Sequence, residues 1–295
     1  MVCLPEFVSH KLGNARIWAD SRLLASVGSD LLANPDLLFA RTDCQVIKDQ
    51  LKIKVGCLIL EIDGIPTGVY LKRYNAFSPR YRIASLILSS GAVKSLRGAE
   101  VLSRVGVSTG RPLAAIESRS RGMVESSFFV TEEIPLGKPA DEYWRKDLLP
   151  MKGVERFRHR RQFLKNLARL FNRLHQNRIY HNDLKDANIF VTVSARGDEH
   201  FSLLDLEGVR RCWYLSRRRR VKNLVQLDRT LGKCLARTAK LYFLKTYLGE
   251  TFASKRNKRR WVTQVLRATK RANVRSEAKQ ASNNSSDERN YRTYR

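Results

Sequence analysis

The chain has 295 residues, 43% hydrophobic and 9% aromatic, enough apolar material to bury the core of one large domain or two lobes, which excludes general disorder. Its 56 Lys and Arg against 28 Asp and Glu leave a net charge of +28, which favours an anionic partner: a phosphorylated substrate, a lipid surface or nucleic acid. No run approaches the ~18 apolar residues of a membrane span, "MVCLPEFVSHK" lacks the apolar core of a signal peptide, and the five scattered cysteines read as reduced thiols without metal spacing.

Residues 1–40 hold apolar clusters (Leu23, Leu24, Leu31, Leu32, Leu37, Leu38, Phe39) broken by Gly28 and Asn34-Pro35, a pattern that predicts a helical lead-in. From 44 to 74 the texture is β: "CQVIKDQ", "KVGCLILEI" and "TGVYLKRYN", with Asp63-Gly64 as a hairpin turn between the last two. A helix is expected over 83–105, ending near Gly106, and "SSFFVTEEI" (126–134) returns to strand. No proline follows Pro150. In "FRHRRQFLKNLARLFNRLHQN" the residues Phe163, Leu164, Leu167, Leu170, Phe171 and Leu174 share one helical face, which predicts a core-packing helix. Two more helical stretches are expected, at about 217–248 and 258–279, before the polar "EAKQASNNSSDERNYRTYR", which reads as disordered.

"HNDLKDANIF", residues 181–190, follows the core-packing helix. Asp183 can accept or orient the proton of an attacking hydroxyl. Lys185 can neutralise a transferring phosphate, and Asn188 can hold a metal through its carbonyl oxygen. Asp205, in "LLDLEG" at the end of an apolar strand, can act as the principal Mg²⁺ ligand. Phosphoryl transfer needs positioning and charge neutralisation more than covalent chemistry, and this set supplies both. The plain alternative is a polar turn with a coincidental spacing, which the helix before it and the strand-borne Asp after it make rarer. Lys72, in "GVYLKRY", sits on a strand as a nucleotide-phosphate lysine would. Its helical ion-pair partner is expected to be Glu100, in "RGAEVLSRVG", with Glu117 in "AAIESR" as the rival. Glu132, at the end of "SSFFVTEEI", joins Lys72 and Glu100 in the candidate nucleotide-binding set.

These stretches resemble the protein-kinase fold over about residues 44–250. Within it, "GVYLKRY", "GVSTGRPLAAIE", "HNDLKDANIFV", "LLDLEGVR" and the closing "VKNLVQLDRTLGKCLARTAKLYFLKTYLG" are similar to the lipopolysaccharide core kinase family, whose members phosphorylate Kdo or heptose. The resemblance implies an α+β, bilobal protein-kinase-like fold with a small antiparallel-sheet N-lobe and a helical C-lobe. It implies ATP and Mg²⁺, and a sugar hydroxyl of an anionic glycolipid as acceptor. The expected division is a lead-in at 1–40, a nucleotide-binding lobe at 41–134, a catalytic lobe at 135–254, and a basic helix with a disordered tail at 255–295. Four departures separate the chain from protein kinases. Asn182 replaces the Arg that reads an activation-loop phosphate, Asp205-Leu206-Glu207 replaces Asp-Phe-Gly, and no Ala-Pro-Glu can follow Asp205. The phosphate-covering loop "KDQLKIKVG" has the single Gly56, with Lys48, Lys52 and Lys54 as possible charge substitutes or a solvated strand edge.

From Gly208 to Arg295 there are 25 Lys and Arg against 5 Asp and Glu. "SRRRRVKN" and "KRNKRRWVTQVLRATKRANVR", with a thin apolar stripe of Trp261, Val265, Ala268 and Ala272, are expected on an anionic membrane surface, at the cytoplasmic face of the inner membrane. Nucleic-acid binding and a merely solubilising helix are the alternatives for that segment. For the whole chain the alternatives are a Ser/Thr protein kinase, an antibiotic-type small-molecule phosphotransferase, and a non-catalytic binding protein that kept the fold.

Overall fold

The computed structural model describes residues 7–278, together with the backbone course of a last helix that runs on to Thr293. Its contacts divide the chain into two compact units. One comprises Met1–Lys138, Ile179–Asn182 and Asn188–Cys212; the other comprises Pro139–Arg178, Asp183–Ala187 and Trp213–Arg295.

The first unit is built on strands β1 (Phe7–Leu12), β2 (Ala15–Asp20), β3 (Gln45–Gln50), β4 (Ile53–Ile62), β5 (Ile65–Asn75), β6 (Ser108–Thr109), β7 (Pro112–Ser120) and β8 (Met123–Glu132). All but β6 form one antiparallel sheet in the order β1-β2-β7-β8-β5-β4-β3. The β4–β5 hairpin turns at Asp63 (φ 52°) and Gly64 (φ 74°). Two positive φ values match the right-handed twist of the flanking strands, which is why Asp-Gly signals this turn.

Residues 7–20, expected within a helical lead-in, form the β1–β2 hairpin and make the sheet larger than the small one anticipated. The reason lies in the alternation "ARIWAD": Ala15, Ile17 and Ala19 are buried while Arg16 is exposed, a period of two that a helix cannot satisfy. The short helices that follow, Ser21–Val27, Ser29–Ala33 and Asp36–Phe39, send Leu23, Leu32 and Leu38 into the core under the sheet, beside Leu58, Leu60, Val69, Leu71 and Phe128.

The helix expected over 83–105 is two helices, Pro79–Ala84 and Gly91–Ser103. Ser90 restarts the chain as an N-cap: its Oγ accepts from the Val93 amide at 3.2 Å. Gly91 permits the close approach that follows, since a Cβ there would lie 2.6 Å from the Tyr74 ring. Beyond the large sheet, Ile189–Val193 pairs antiparallel with Glu199–Leu203, which pairs parallel with β6.

The second unit is helical. The stripe Phe163, Leu164, Leu167, Leu170, Phe171 and Leu174 is buried along one face of the helix Glu155–Gln176, as its periodicity requires. Phe171 meets Phe243 of the helix Arg237–Leu248 edge-on, 5.7 Å between centroids. The stretch expected as helix over 217–248 breaks into Arg217–Asp228 and Arg237–Leu248 around a 3₁₀ turn, Leu231–Cys234. Gly232 lets that turn lie against Asp228, whose carboxylate also holds Lys240 at 2.8 Å. The basic segment forms the helix Lys255–Thr293. It is docked on its neighbour by Thr269 Oγ1 donating to Asp228 Oδ2 (2.8 Å) and Arg229 Nε donating to Asn273 Oδ1 (3.0 Å). The tail expected to be disordered, residues 277–295, begins inside this helix, whose backbone course runs on to Thr293; the last two residues lie outside the described ones.

Candidate active site

A cavity of about 380 Å³ opens in the first unit, lined among others by Tyr70, Lys72, Tyr74, Ser95, Glu133 and Asp205. Strand β5 supplies three of these because side chains alternate along a strand: Tyr70, Lys72 and Tyr74 face the cavity, while Val69 and Leu71 point into the apolar core. Lys72 Nζ lies 2.7 Å from Asp205 Oδ1 and 5.0 Å from the centroid of the Tyr74 ring. Burial disfavours its charge, but the Asp205 carboxylate it pairs with and its contacts to the Tyr74 side chain favour that charge, and the Lys72 pKa is raised. Tyr74 is a fixed pedestal. Its hydroxyl bonds Ser95 Oγ at 2.8 Å, and burial pushes its pKa up to about 12, so it stays a neutral phenol.

The hairpin of Ile189–Val193 and Glu199–Leu203 brings Asn188 and Asp205 to one end. Its register pairs Ile189 with Leu203, and the Leu204 amide then donates to the Asn188 carbonyl at 2.9 Å, with Asp205 the next residue. His181 Nε2 lies 3.0 Å from the Leu204 carbonyl, an acceptor only, so that nitrogen carries the proton. Asp205 itself is left-handed (φ 55°, ψ 57°). A non-glycine residue seldom takes this conformation, and an Asp held there is a strained residue at a wall of a cavity. Among the described residues no group of three or more His, Cys, Asp or Glu could hold a metal. A Mg²⁺ ion that travels with phosphates needs fewer protein ligands than that, and one carboxylate with one amide oxygen at a hairpin end fits it.

Asp183 and Lys185 belong to the second unit, where Lys185 Nζ lies 2.7 Å from Asp183 Oδ2. The backbone between them is held from the helix Arg217–Asp228: the Leu184 amide donates to Gln226 Oε1 at 3.2 Å, and Asn223 Nδ2 donates to the same oxygen at 2.9 Å.

The profile described as the lipopolysaccharide kinase (Kdo/WaaP) family matches residues 81–247, more than half of the chain. The chain belongs to that family. A solved structure described as "WaaP in complex with acyl carrier protein" is 22% identical, covers 87% of this chain and 98% of that chain, and superposes with a TM-score of 0.62. That likeness gives the fold: α+β and protein-kinase-like. No curated protein matches the chain by sequence. A member of this family is a phosphotransferase that uses a nucleoside triphosphate to phosphorylate a hydroxyl of a lipopolysaccharide core sugar.

Against that identity, the candidate residues divide. Lys72 and Asp205 meet at the cavity wall, and the hairpin sets the Asn188 backbone beside Leu204, the residue before Asp205. Glu100, expected opposite Lys72, is instead on Arg104, 2.5 Å away, and does not line the cavity. Helix rotation is the reason: Ser95 faces the cavity, and five residues at 100° each carry Glu100 well round to another side. The rival Glu117 lies on β7, not on a helix, and is buried against Arg119 at 2.8 Å. Glu132 does line the cavity, but its carboxylate is directed to Arg111 at 3.1 Å, in a cluster that also holds Asp20.

Gly56 is not a phosphate-loop glycine. It sits within β4, where a Cβ would lie 2.9 Å from Cys44 Sγ and 3.0 Å from the Phe39 ring. Of the nearby lysines, Lys52 is over the Phe77 ring at 4.5 Å and Lys54 is over Phe39 at 5.0 Å, while Lys48 is exposed on β3. Sequence reasoning missed Tyr74 and Ser95. Tyr74 was detectable two places beyond Lys72 on the same strand face; Ser95 carried no local signal.

Proposed function

We propose that this lipopolysaccharide kinase binds ATP in the cavity beside Lys72, with Mg²⁺ on Asp205 and Asn188. The observation that carries this is the Lys72–Asp205 ion pair at the cavity wall. Each partner neutralises the other, and a nucleotide phosphate offers Lys72 a new anion while the metal offers Asp205 a new cation. Bound there, Mg²⁺ would supply charge neutralisation on the phosphates.

Lys72 holds the phosphates, and the ring of Tyr74 beneath it limits where its ammonium can go. His181 fixes the peptide before Asp205 through the Leu204 carbonyl. Asp183 takes or orients the acceptor hydroxyl proton, and Lys185 neutralises the transferring phosphoryl, as their residue types and spacing suggest. The acceptor is a Kdo or heptose hydroxyl on an already anionic core, to which arginines can pair bidentately. Labelled ATP offered in parallel to Kdo-lipid A, a heptose-extended core and histone tests the acceptor. Label is expected on a glycolipid; label mainly on protein would overturn the reading.

We further infer that the helix Lys255–Thr293 rests on anionic lipid headgroups at the cytoplasmic face of the inner membrane. No described helix is long and apolar enough to cross a membrane, and Lys255, Arg256, Lys258, Arg259, Arg267, Lys270, Arg271 and Arg275 are all exposed. The contact is one of charge. Trp261, expected in an apolar stripe toward lipid, is buried on Tyr247 at 6.0 Å with the Arg217 guanidinium 4.3 Å over its ring. Binding to anionic vesicles through this helix should fall steeply with salt. Stronger binding to nucleic acid than to vesicles would refute it.

A further inference from the structure

We propose that Phe77–Leu88, in the first unit, is an apolar anchor that enters an anionic lipid surface. The inference rests on the lipid-linked acceptor, but it arises from a feature that catalysis does not use. Ile87 is 91% exposed, Ile83 63%, Leu88 58% and Leu86 57%. Four large aliphatic side chains held in water within six residues are unusual on a soluble surface, and such patches mark contact with protein or membrane.

The segment is pinned. Ser78 Oγ caps the helix Pro79–Ala84 by accepting from the Tyr81 amide at 3.2 Å, and Pro79 opens its first turn. Ser85 is buried, and its Oγ accepts from the Val124 amide at 2.8 Å while donating to the Arg82 carbonyl at 2.5 Å. Arg82 reaches Glu125 at 3.2 Å, and the Ala76 amide donates to the Glu125 carbonyl at 3.1 Å. With Ser85 anchored to β8 and the chain turning at Leu86 to Leu88, the aliphatic groups are held outward by the fold.

Charge decides the occupant. No Asp or Glu occurs between Asp63 and Glu100, whereas Lys72, Arg73, Arg80, Arg82, Lys94 and Arg97 do. Arg80 is exposed on the helix, Arg121 is exposed in the adjoining β7–β8 turn beside Leu86, and Lys52 lies over Phe77. An apolar tip with a cationic rim suits a surface whose headgroups are anionic and whose interior is hydrocarbon. A nucleic acid would use the cations and leave the aliphatic side chains in water. On the described part of the basic helix Lys255–Thr293 the exposed large apolar residues are Leu266 and Val274, eight residues apart and set among cations, with Trp261 buried, so the clustered aliphatic patch lies at Ile83–Leu88.

The test uses the full chain and vesicles of phosphatidylglycerol and phosphatidylcholine. The double variant Ile83→Ser with Ile87→Ser should partition to vesicles more than about tenfold less well than wild type, with an unchanged melting temperature. Its turnover on a delipidated core oligosaccharide should equal that of wild type. In Ile87→Trp, brominated acyl chains should quench fluorescence beyond the level seen in wild type. Wild-type partitioning by the double variant, or no added quenching in Ile87→Trp, would overturn the anchor. So would complete release of the wild type by high salt, since the contact would then be charge alone. A wild-type chain that turns over no glycan acceptor at all would count against the acceptor reading, a result the vesicle measurements do not share.

Discussion

Lys72 in the first unit and His175 in the second both sit among polar partners, and the partners differ in kind. Lys72 is held by a carboxylate, Asp205, at the wall of a cavity, and its charge is favoured. His175 is buried between two neutral partners. Its Nδ1 lies 2.8 Å from Tyr247 Oη and its Nε2 lies 3.1 Å from Asn223 Oδ1. The amide oxygen can only accept, so Nε2 carries the proton and Nδ1 accepts from the Tyr247 hydroxyl, which in turn accepts from Arg220 Nε at 2.7 Å. Burial, joined by the nearby Arg220 charge and opposed by the Asn223 bond, lowers the His175 pKa to about 4. An ion pair beside a cavity can be exchanged for ligand charges. A relay of directed hydrogen bonds has no such alternative and only holds helices together. The difference separates a pair open to a ligand from a closed scaffold.

The comparison is broken most severely at the carboxylates. Asp205→Asn and Asp183→Ala should each lower phosphoryl transfer to a core oligosaccharide by at least on the order of 10²–10³-fold. Asp205→Asn should also weaken Mg²⁺-dependent nucleotide binding, with little change in melting temperature. Asn188→Ala should be severe but milder, because a metal can keep its carboxylate ligand. Near-normal turnover in Asp205→Asn or Asp183→Ala would remove the role assigned to it.

Acid probes the scaffold. The unfolded chain takes up a proton on His175 as pH falls below 6.5, whereas the folded chain keeps the ring neutral until about pH 4. The stability that His175 contributes is therefore fully present above pH 6.5 and is lost as pH falls through that window, by about 3 kcal/mol at most. Denaturant unfolding at a series of pH values should show this slope, and a His175→Asn chain should lack it. Next in size, Tyr247→Phe strands the His175 Nδ1 acceptor in the interior and should lower stability by about 1–3 kcal/mol, read as a lower melting temperature. ATP affinity should stay unchanged, in contrast to Asp205→Asn.

The smallest effect is expected at Glu100. With its carboxylate on the exposed Arg104, Glu100→Gln should change the KM for ATP by less than about threefold. A large increase would restore Glu100 as a partner of Lys72 in the nucleotide complex.

Short-range patterns carried much of this protein in its sequence. The spacing of "HNDLKDANIF" with "LLDLEG" offered Asp183, Lys185, Asn188 and Asp205 as candidates, and Asp205 lines the cavity. The repeat of Phe163, Leu164, Leu167, Leu170, Phe171 and Leu174 marked the buried face of the long helix, and Asp63-Gly64 marked its hairpin. Such features depend on a few consecutive residues, whose spacing alone decides which face a side chain takes.

Tertiary structure decided the rest, because those outcomes depend on elements meeting in a given register and rotation. Whether Ser95 or Glu100 faced the cavity turned on the roll of one helix. Whether Gly56 met phosphate or Phe39 turned on the packing of helices over β4, and whether Trp261 met lipid or Tyr247 turned on helix docking. The pairing of Lys72 with Asp205 joins residues far apart in the chain, and only the assembled sheet and its neighbouring hairpin bring their side chains to 2.7 Å.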